Sequence, residues 1–175
     1  QNTETNYFLK KLKVKKITSI GNLKFIEHDN FKTNLADKKL FLQFKKYKTF
    51  VAASTHNTEE LFAAKTHILL KKKIKNIITI IIPRHINRVD QIISQVNELG
   101  LNAISRRSNK KKLDNIDIYL VDTFGESKKF YKFATTVFLG GSIIKRGGQN
   151  PLEPARFGAK ILHGPNIDNF RDVYK

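Results

Sequence analysis

Four glycines, two cations and a helix-start signal stand together in Gly140-Gly141-Ser142-Ile143-Ile144-Lys145-Arg146-Gly147-Gly148-Gln149-Asn150-Pro151-Leu152-Glu153-Pro154-Ala155, behind the apolar stretch Thr136 to Leu139. Glycines at a strand end remove the Cβ that would keep a ligand away from the main chain. Asn150 suits a helix N-cap, Pro151 the first helical position, and Glu153 can reach back as in a capping box. A helix N-terminus gathers unpaired N–H groups and positive dipole, which favour an anion or a hydroxyl. The stretch therefore reads either as a glycine-rich turn before a well-capped helix or as one wall of a ligand site. Glu153 has two compatible roles, a cap and an acceptor for ribose hydroxyls. Lys145 and Arg146 either neutralise ligand charge or are simply solvated.

Other segments carry chemistry of the same kind. Ser54 and Thr55 precede a helix with Asn57 as its expected N-cap and Glu60 at its third position, so their hydroxyls and nearby amides can hold a phosphate or carboxylate. His56 follows as a possible donor. Arg84, after Pro83, can grip an oxyanion with two parallel N–H bonds, or form a salt bridge to a neighbouring acid. His85 beside it is a ligand donor or a structural residue. Gly125-Glu126 offers amides at a helix start, or a simple turn.

These segments need a frame. Apolar strand runs are expected at Thr49-Ala53, Asn76-Ile82, Asn102-Ser105, Asp117-Val121, Thr136-Leu139 and Lys160-Leu162. Helical patterns alternate with them at Asn34-Lys46, Thr58-Lys73, Asn87-Leu99, Glu126-Phe133 and Pro151-Phe157. Such alternation makes parallel βαβ units and an open α/β sheet of Rossmann type, with helices on both faces. Ligands on these sheets bind beyond the carboxyl ends of the strands, where all the segments above fall. Upstream, Asn2 to Leu12 reads as a short helix and Lys16 to Ile20 as a strand. The polar stretch Leu23 to Asp37 reads as a linker. No Walker loop, zinc spacing or dinucleotide GxGxxG is present, so neither a metal nor a cofactor is expected. Ser54, His85 and Asp122 form a triad on paper, but nothing resembles a nucleophile elbow.

The chain has 175 residues, no Met and no Cys, and starts at Gln1 inside a helical pattern, so it is expected to be part of a longer protein. Absence of Cys excludes disulfides and thiolate metal sites. The net charge of +18 admits nucleic acid, an anionic membrane surface or an acidic substrate. The abundance of Lys, Asn and Ile also suits an AT-biased genome, and the runs Lys71-Lys73 and Lys110-Lys112 read as solvated faces. No stretch approaches the roughly 20 apolar residues of a membrane-spanning helix. A basic RNA-binding domain is the non-enzyme alternative, against which the strand ends are expected to lack interleaved exposed aromatics.

In chain order, Gly21-Asn22-Leu23-Lys24-Phe25, Ala52-Ala53-Ser54-Thr55-His56, Pro83-Arg84-His85, Arg106-Arg107-Ser108, Asp122-Thr123-Phe124-Gly125-Glu126, Gly140 through Ala155, and Gly164-Pro165 with Asn169-Phe170 resemble the 3-deoxy-D-manno-octulosonic acid (Kdo) transferase family. The resemblance covers nearly the whole chain. It implies an inverting glycosyltransferase of the two-domain GT-B type, in lipopolysaccharide (lipid A-core) biosynthesis. Residues 1–21 would end the acceptor domain, 22–37 would be the linker, and 38–175 most of the nucleotide-sugar domain. The family's carboxylate base lies in the N-terminal domain, so no catalytic residue is expected here, and this chain alone is expected to be inactive. Donor contacts are expected from Ser54, Thr55, Arg84, His85, Gly125, Glu126, Gly141, Ser142, Lys145, Asn150 and Glu153. The implied partners are CMP-Kdo, a lipid A precursor and an anionic membrane surface, without nucleic acid. The implied location is the cytoplasmic face of the bacterial inner membrane, peripheral or anchored through an N-terminal segment. A related UDP-sugar-dependent GT-B transferase is the enzymatic alternative. Gln149 stands where the family usually has His and Ser127 where it has Leu, which implies a shifted contact with the fold retained.

Overall fold

The computed structural model describes residues 3–18, 35–108 and 112–174. Its elements run α1 (Thr3–Lys11), α2 (Leu35–Phe44), β1 (Lys48–Thr55), α3 (Glu59–Lys71), β2 (Ile77–Pro83), α4 (Val89–Glu98), β3 (Ala103–Ser105), β4 (Ile118–Leu120), α5 (Ser127–Tyr131), β5 (Thr136–Leu139), α6 (Leu152–Ala155) and β6 (Lys160–His163). Short 3-10 turns cover Ile86–Arg88 and Asp168–Phe170.

The six strands form one sheet in the order β3-β4-β2-β1-β5-β6, and each pairing is parallel. A parallel sheet is covered on both faces, so its central strands are apolar without interruption. Every residue of β2 is buried, and β1 is buried except at Lys48 and Ser54. Successive side chains then feed opposite layers. Val51, Ile80 and Val137 pack with Phe41, Phe44 and Phe130 on the face of α2 and α5. Ala52, Ile81 and Phe138 pack with Ala63, Ala64, Ile92 and Val96 on the face of α3 and α4. Val89, Ile92 and Val96 recur at helical spacing, which turns one stripe of α4 to the sheet. Phe44 meets Tyr119 edge to face at 5.2 Å, a pairing that adds about 0.5–1.5 kcal/mol beyond area burial. This is the expected α/β architecture.

Three local expectations are corrected. Residues 16–18 are irregular rather than a strand, and residues 19 and 20 lie outside the described residues. The stretch read as a linker ends earlier than Asp37: α2 starts at Leu35, and Asp37 is fully buried, paired with Arg106 and Lys129. Polar composition hid this because the buried charge is balanced by cations distant in sequence. Glu60 does not cap α3; its carboxylate binds Arg88 at 3.0 Å, while Asn57 accepts from the Thr58 N–H at 3.1 Å. No helix among the described residues is long and apolar enough to cross a membrane.

Candidate functional site

β1 and β5 lie side by side at the middle of the sheet, and the connections leave them toward opposite edges, which opens a crevice beyond their carboxyl ends. The Gly140 N–H extends the pairing to the Ala53 carbonyl at 2.8 Å. Ser54 sits where the β1 register shifts, with φ at 54°, a left-handed value uncommon for a residue with a side chain. The Arg84 N–H donates to the Thr55 carbonyl at 2.9 Å. Ser54, Thr55, His56, Arg84, His85 and Gly140 to Ser142 are thereby brought together. Of the two hydroxyl residues, only Ser54 reaches solvent; Thr55 is fully buried, so its side chain does not face the rim.

The glycine-rich turn holds an unexpected carboxylate. Glu59, in the first turn of α3 and fully buried, accepts the N–H of His56 at 3.0 Å and of Gly141 at 2.7 Å on one oxygen. Its other oxygen accepts the N–H of Ser142 at 3.2 Å and of Ile143 at 3.1 Å. The turn was expected to offer these amides to a ligand, and Glu59 already takes them. Ser142 is buried too: its hydroxyl donates to the Leu139 carbonyl and accepts the Gly164 N–H. The segment after β6 clamps the same loop, since Asn166 donates to the Ser142 carbonyl and Asn169 to the Arg146 carbonyl, at 3.0 and 3.1 Å.

What faces outward is cationic. Arg84 and Arg146 are exposed and form no salt bridge among the described residues, so the ion-pair reading of Arg84 finds no acid there. A Cβ on Gly141 would meet Arg146 Cβ at 3.3 Å, and Gln149 Nε2 and His56 Cδ2 at 3.5 Å. Arg146, Gln149 and His56 therefore close over Gly141, which is buried, while Lys145 is exposed nearby in sequence. The imidazoles of His56 and His85 meet edge to face at 5.7 Å. Burial lowers the pKa of His56, Glu59 opposes that shift, and His85, Arg146 and Arg84 reinforce it. The paper triad is not formed: Asp122 accepts the Arg107 N–H.

Beside this cluster is a cleft of about 360 Å³ between Arg84, His85, Ile86, Asn87 and Phe124. Phe124, beyond the end of β4, is 78% exposed. Gly125 next to it is exposed, but the Glu126 carboxylate is turned inward. It bonds Arg106 at 3.1 Å, Lys129 at 2.7 Å and the Thr123 hydroxyl, and Asp37 joins the same two cations. Burial pushes the Glu126 carboxyl up, but these partners outweigh it and hold the pKa at about 2. On the β5–β6 side, Asn150 accepts the Leu152 N–H at 3.1 Å, but α6 starts at Leu152 with Pro151 as its N-cap, one residue later than expected. Glu153 is half-buried in the first turn of α6.

No family model matches the chain. It is 32% identical over 126 residues to the 3-deoxy-D-manno-octulosonic acid transferase of Haemophilus influenzae, across 72% of this chain and 30% of that one. With the Rickettsia prowazekii transferase it shares 34% over 157 residues, across 90% and 34%. Its fold matches the crystal structure of the C-terminal CMP-Kdo binding domain of WaaA from Acinetobacter baumannii, with a TM-score of 0.68, 25% identity, and coverage of 79% and 75%. The chain belongs with the Kdo transferases. It spans about a third of the length of the curated relatives it matches.

Two residues of this chain escaped the sequence. Glu59 sits beside Glu60 at a helix start, and only the tertiary fold tells which of the two turns into the glycine loop. Phe124 lay within a recognised segment, but its exposure has no local signature. Gln149, where the resemblance implies a His, places its side-chain Nε2 3.5 Å from the position a Cβ on Gly141 would take.

Proposed function

We propose that this chain is the donor domain of an inverting Kdo transferase of lipopolysaccharide biosynthesis, binding the CMP half of CMP-Kdo. The observation that carries the reading is the group of Arg84, Arg146, His56 and His85 at the β1–β2–β5 ends, cationic or protonatable and facing solvent beside a cleft with an exposed aromatic. The donor carries a phosphodiester and a sugar carboxylate, two anions that suit such partners. Phe124 gives the cytosine or ribose an apolar face, and Glu153 accepts ribose hydroxyls. A hydroxyl oxygen of the lipid A precursor attacks the anomeric carbon of Kdo from the side opposite CMP. The bond to the phosphate oxygen breaks, its electron pair leaves with CMP, and the hydroxyl proton passes to a carboxylate of the acceptor domain. Arg84 and Arg146 face the charge that grows on the departing phosphate, where fixed positive groups lower the barrier most. The charge of +18 suits work at an anionic membrane surface on the cytoplasmic side.

Calorimetry of this chain with CMP and with UDP tests the reading. CMP binding that weakens with added salt, and weaker or no UDP binding, is the expected result. Tight UDP binding without CMP binding overturns it in favour of a UDP-sugar enzyme.

A further inference from the structure

We propose that Glu59 is a positioning residue: an internal carboxylate that fills the amide nest of the glycine loop and so fixes the Arg146, Gln149 and His56 surface on which the donor anion rests. The inference builds on the donor-site reading above. A fully buried carboxylate is costly unless its lone pairs are satisfied. Glu59 has no Lys or Arg partner among the described residues; its two oxygens instead take four backbone N–H groups, from His56, Gly141, Ser142 and Ile143. Charge-assisted bonds to N–H donors are short and strong, and the 2.7 Å bond to Gly141 is the shortest of the four.

The consequence for recognition is geometric. Successive N–H groups in a turn with a left-handed residue form a concavity that attracts anions, and Gly141 supplies that residue with φ at 65°. With the concavity occupied from inside by Glu59, a phosphate cannot enter it. The ligand is confined to the outer faces of Arg146, Gln149 and His56, which cover the buried Gly141 at 3.3 to 3.5 Å from the space a Cβ would take. The same carboxylate also holds the His56 backbone, so one residue sets both sides of that surface. Glu59 thus ties α3 to the end of β5, 82 residues away, without touching the ligand.

Chemical rescue separates this role from simple stability. In Glu59→Ala, acetate has the size and charge to refill the nest. CMP affinity of this chain is expected to fall by about tenfold or more in Glu59→Ala and in Glu59→Gln, as for loss of hydrogen bonds to a charged group. Added acetate is expected to restore most of the Glu59→Ala loss, and to do nothing for Glu59→Gln, whose amide still fills the space. The backbone N–H resonances of Gly141, Ser142 and Ile143 in Glu59→Ala should shift saturably with acetate. Unchanged CMP affinity in both variants, or no rescue and no amide shift in a folded Glu59→Ala, overturns the proposal. If the unaltered chain binds no CMP, the donor reading fails, and the acetate titration of the three amides still decides whether the loop requires a carboxylate.

Discussion

The Gly140 backbone lies against Ser54 so closely that a Cβ on Gly140 would come 2.5 Å from the Ser54 carbonyl oxygen and 2.7 Å from Thr55 Cα. Both obstacles are main chain, which cannot rotate away. Gly140→Ala is therefore expected to destabilise by about 1–3 kcal/mol or more, the range for overpacking. Gly158→Ala is the comparison, since nothing lies within 4 Å of its Cβ and only its φ of 74° is strained. Urea unfolding of both variants checks the order; a smaller loss at Gly140 than at Gly158 would show that β1 and β5 are not so tightly joined.

Arg84 and Arg146 contribute charge where the donor's anions are expected. Each single change to Ala should weaken CMP by about ten- to hundredfold, the equivalent of about 1.5–3 kcal/mol for a hydrogen bond to a charged group. Thermal stability should hardly move, because both side chains are exposed and unpaired among the described residues. In the intact transferase, Arg84→Ala and Glu153→Ala should cripple transfer from CMP-Kdo. Unchanged kinetics in both would remove these residues from the site.

His56 is held neutral first by burial and then by the neighbouring cations, against the opposing pull of Glu59. A lowered histidine pKa means that the folded state resists the proton, so its stability contribution is lost as pH falls below 6.5. An anion bound between Arg84 and Arg146 favours the charged imidazole and shifts the titration upward. An NMR titration of the His56 ring with and without CMP should show a higher midpoint in the complex. An identical midpoint would place the phosphate elsewhere.

The Asp37-Arg106-Glu126-Lys129 network predicts acid sensitivity. Both carboxyls are lowered in the fold, Glu126 from 4.5 to about 2, despite burial acting the other way. A depressed carboxyl pKa stabilises fully above the unfolded value and loses that contribution as pH falls through the folded one. Melting temperature should therefore drop between pH 4.5 and 2, and Glu126→Gln should drop less over that interval while being less stable at neutral pH. Parallel curves for the two proteins would show that Glu126 does not carry the effect.

Alternation of apolar strand runs with helical patterns was enough to read a parallel sheet covered on both faces, because burial on both sides forces runs such as Ile77 to Pro83 into the sequence itself. The strand-end segments likewise pointed to the rim and the family, and Asn150 to a bond at the start of α6, since such a bond joins near neighbours. Partnering across the fold was not legible. Glu59 and Gly141, Arg106 and Asp37, and Glu126 and Arg106 are joined over 82, 69 and 20 residues. No local period records which of two adjacent acids turns inward. The sequence determined that glycines, hydroxyls and cations share one sheet edge. Only the tertiary structure decided which of their donors remain free, because a buried carboxylate must find its hydrogen bonds wherever the fold supplies them, and the amides it takes are closed to a ligand.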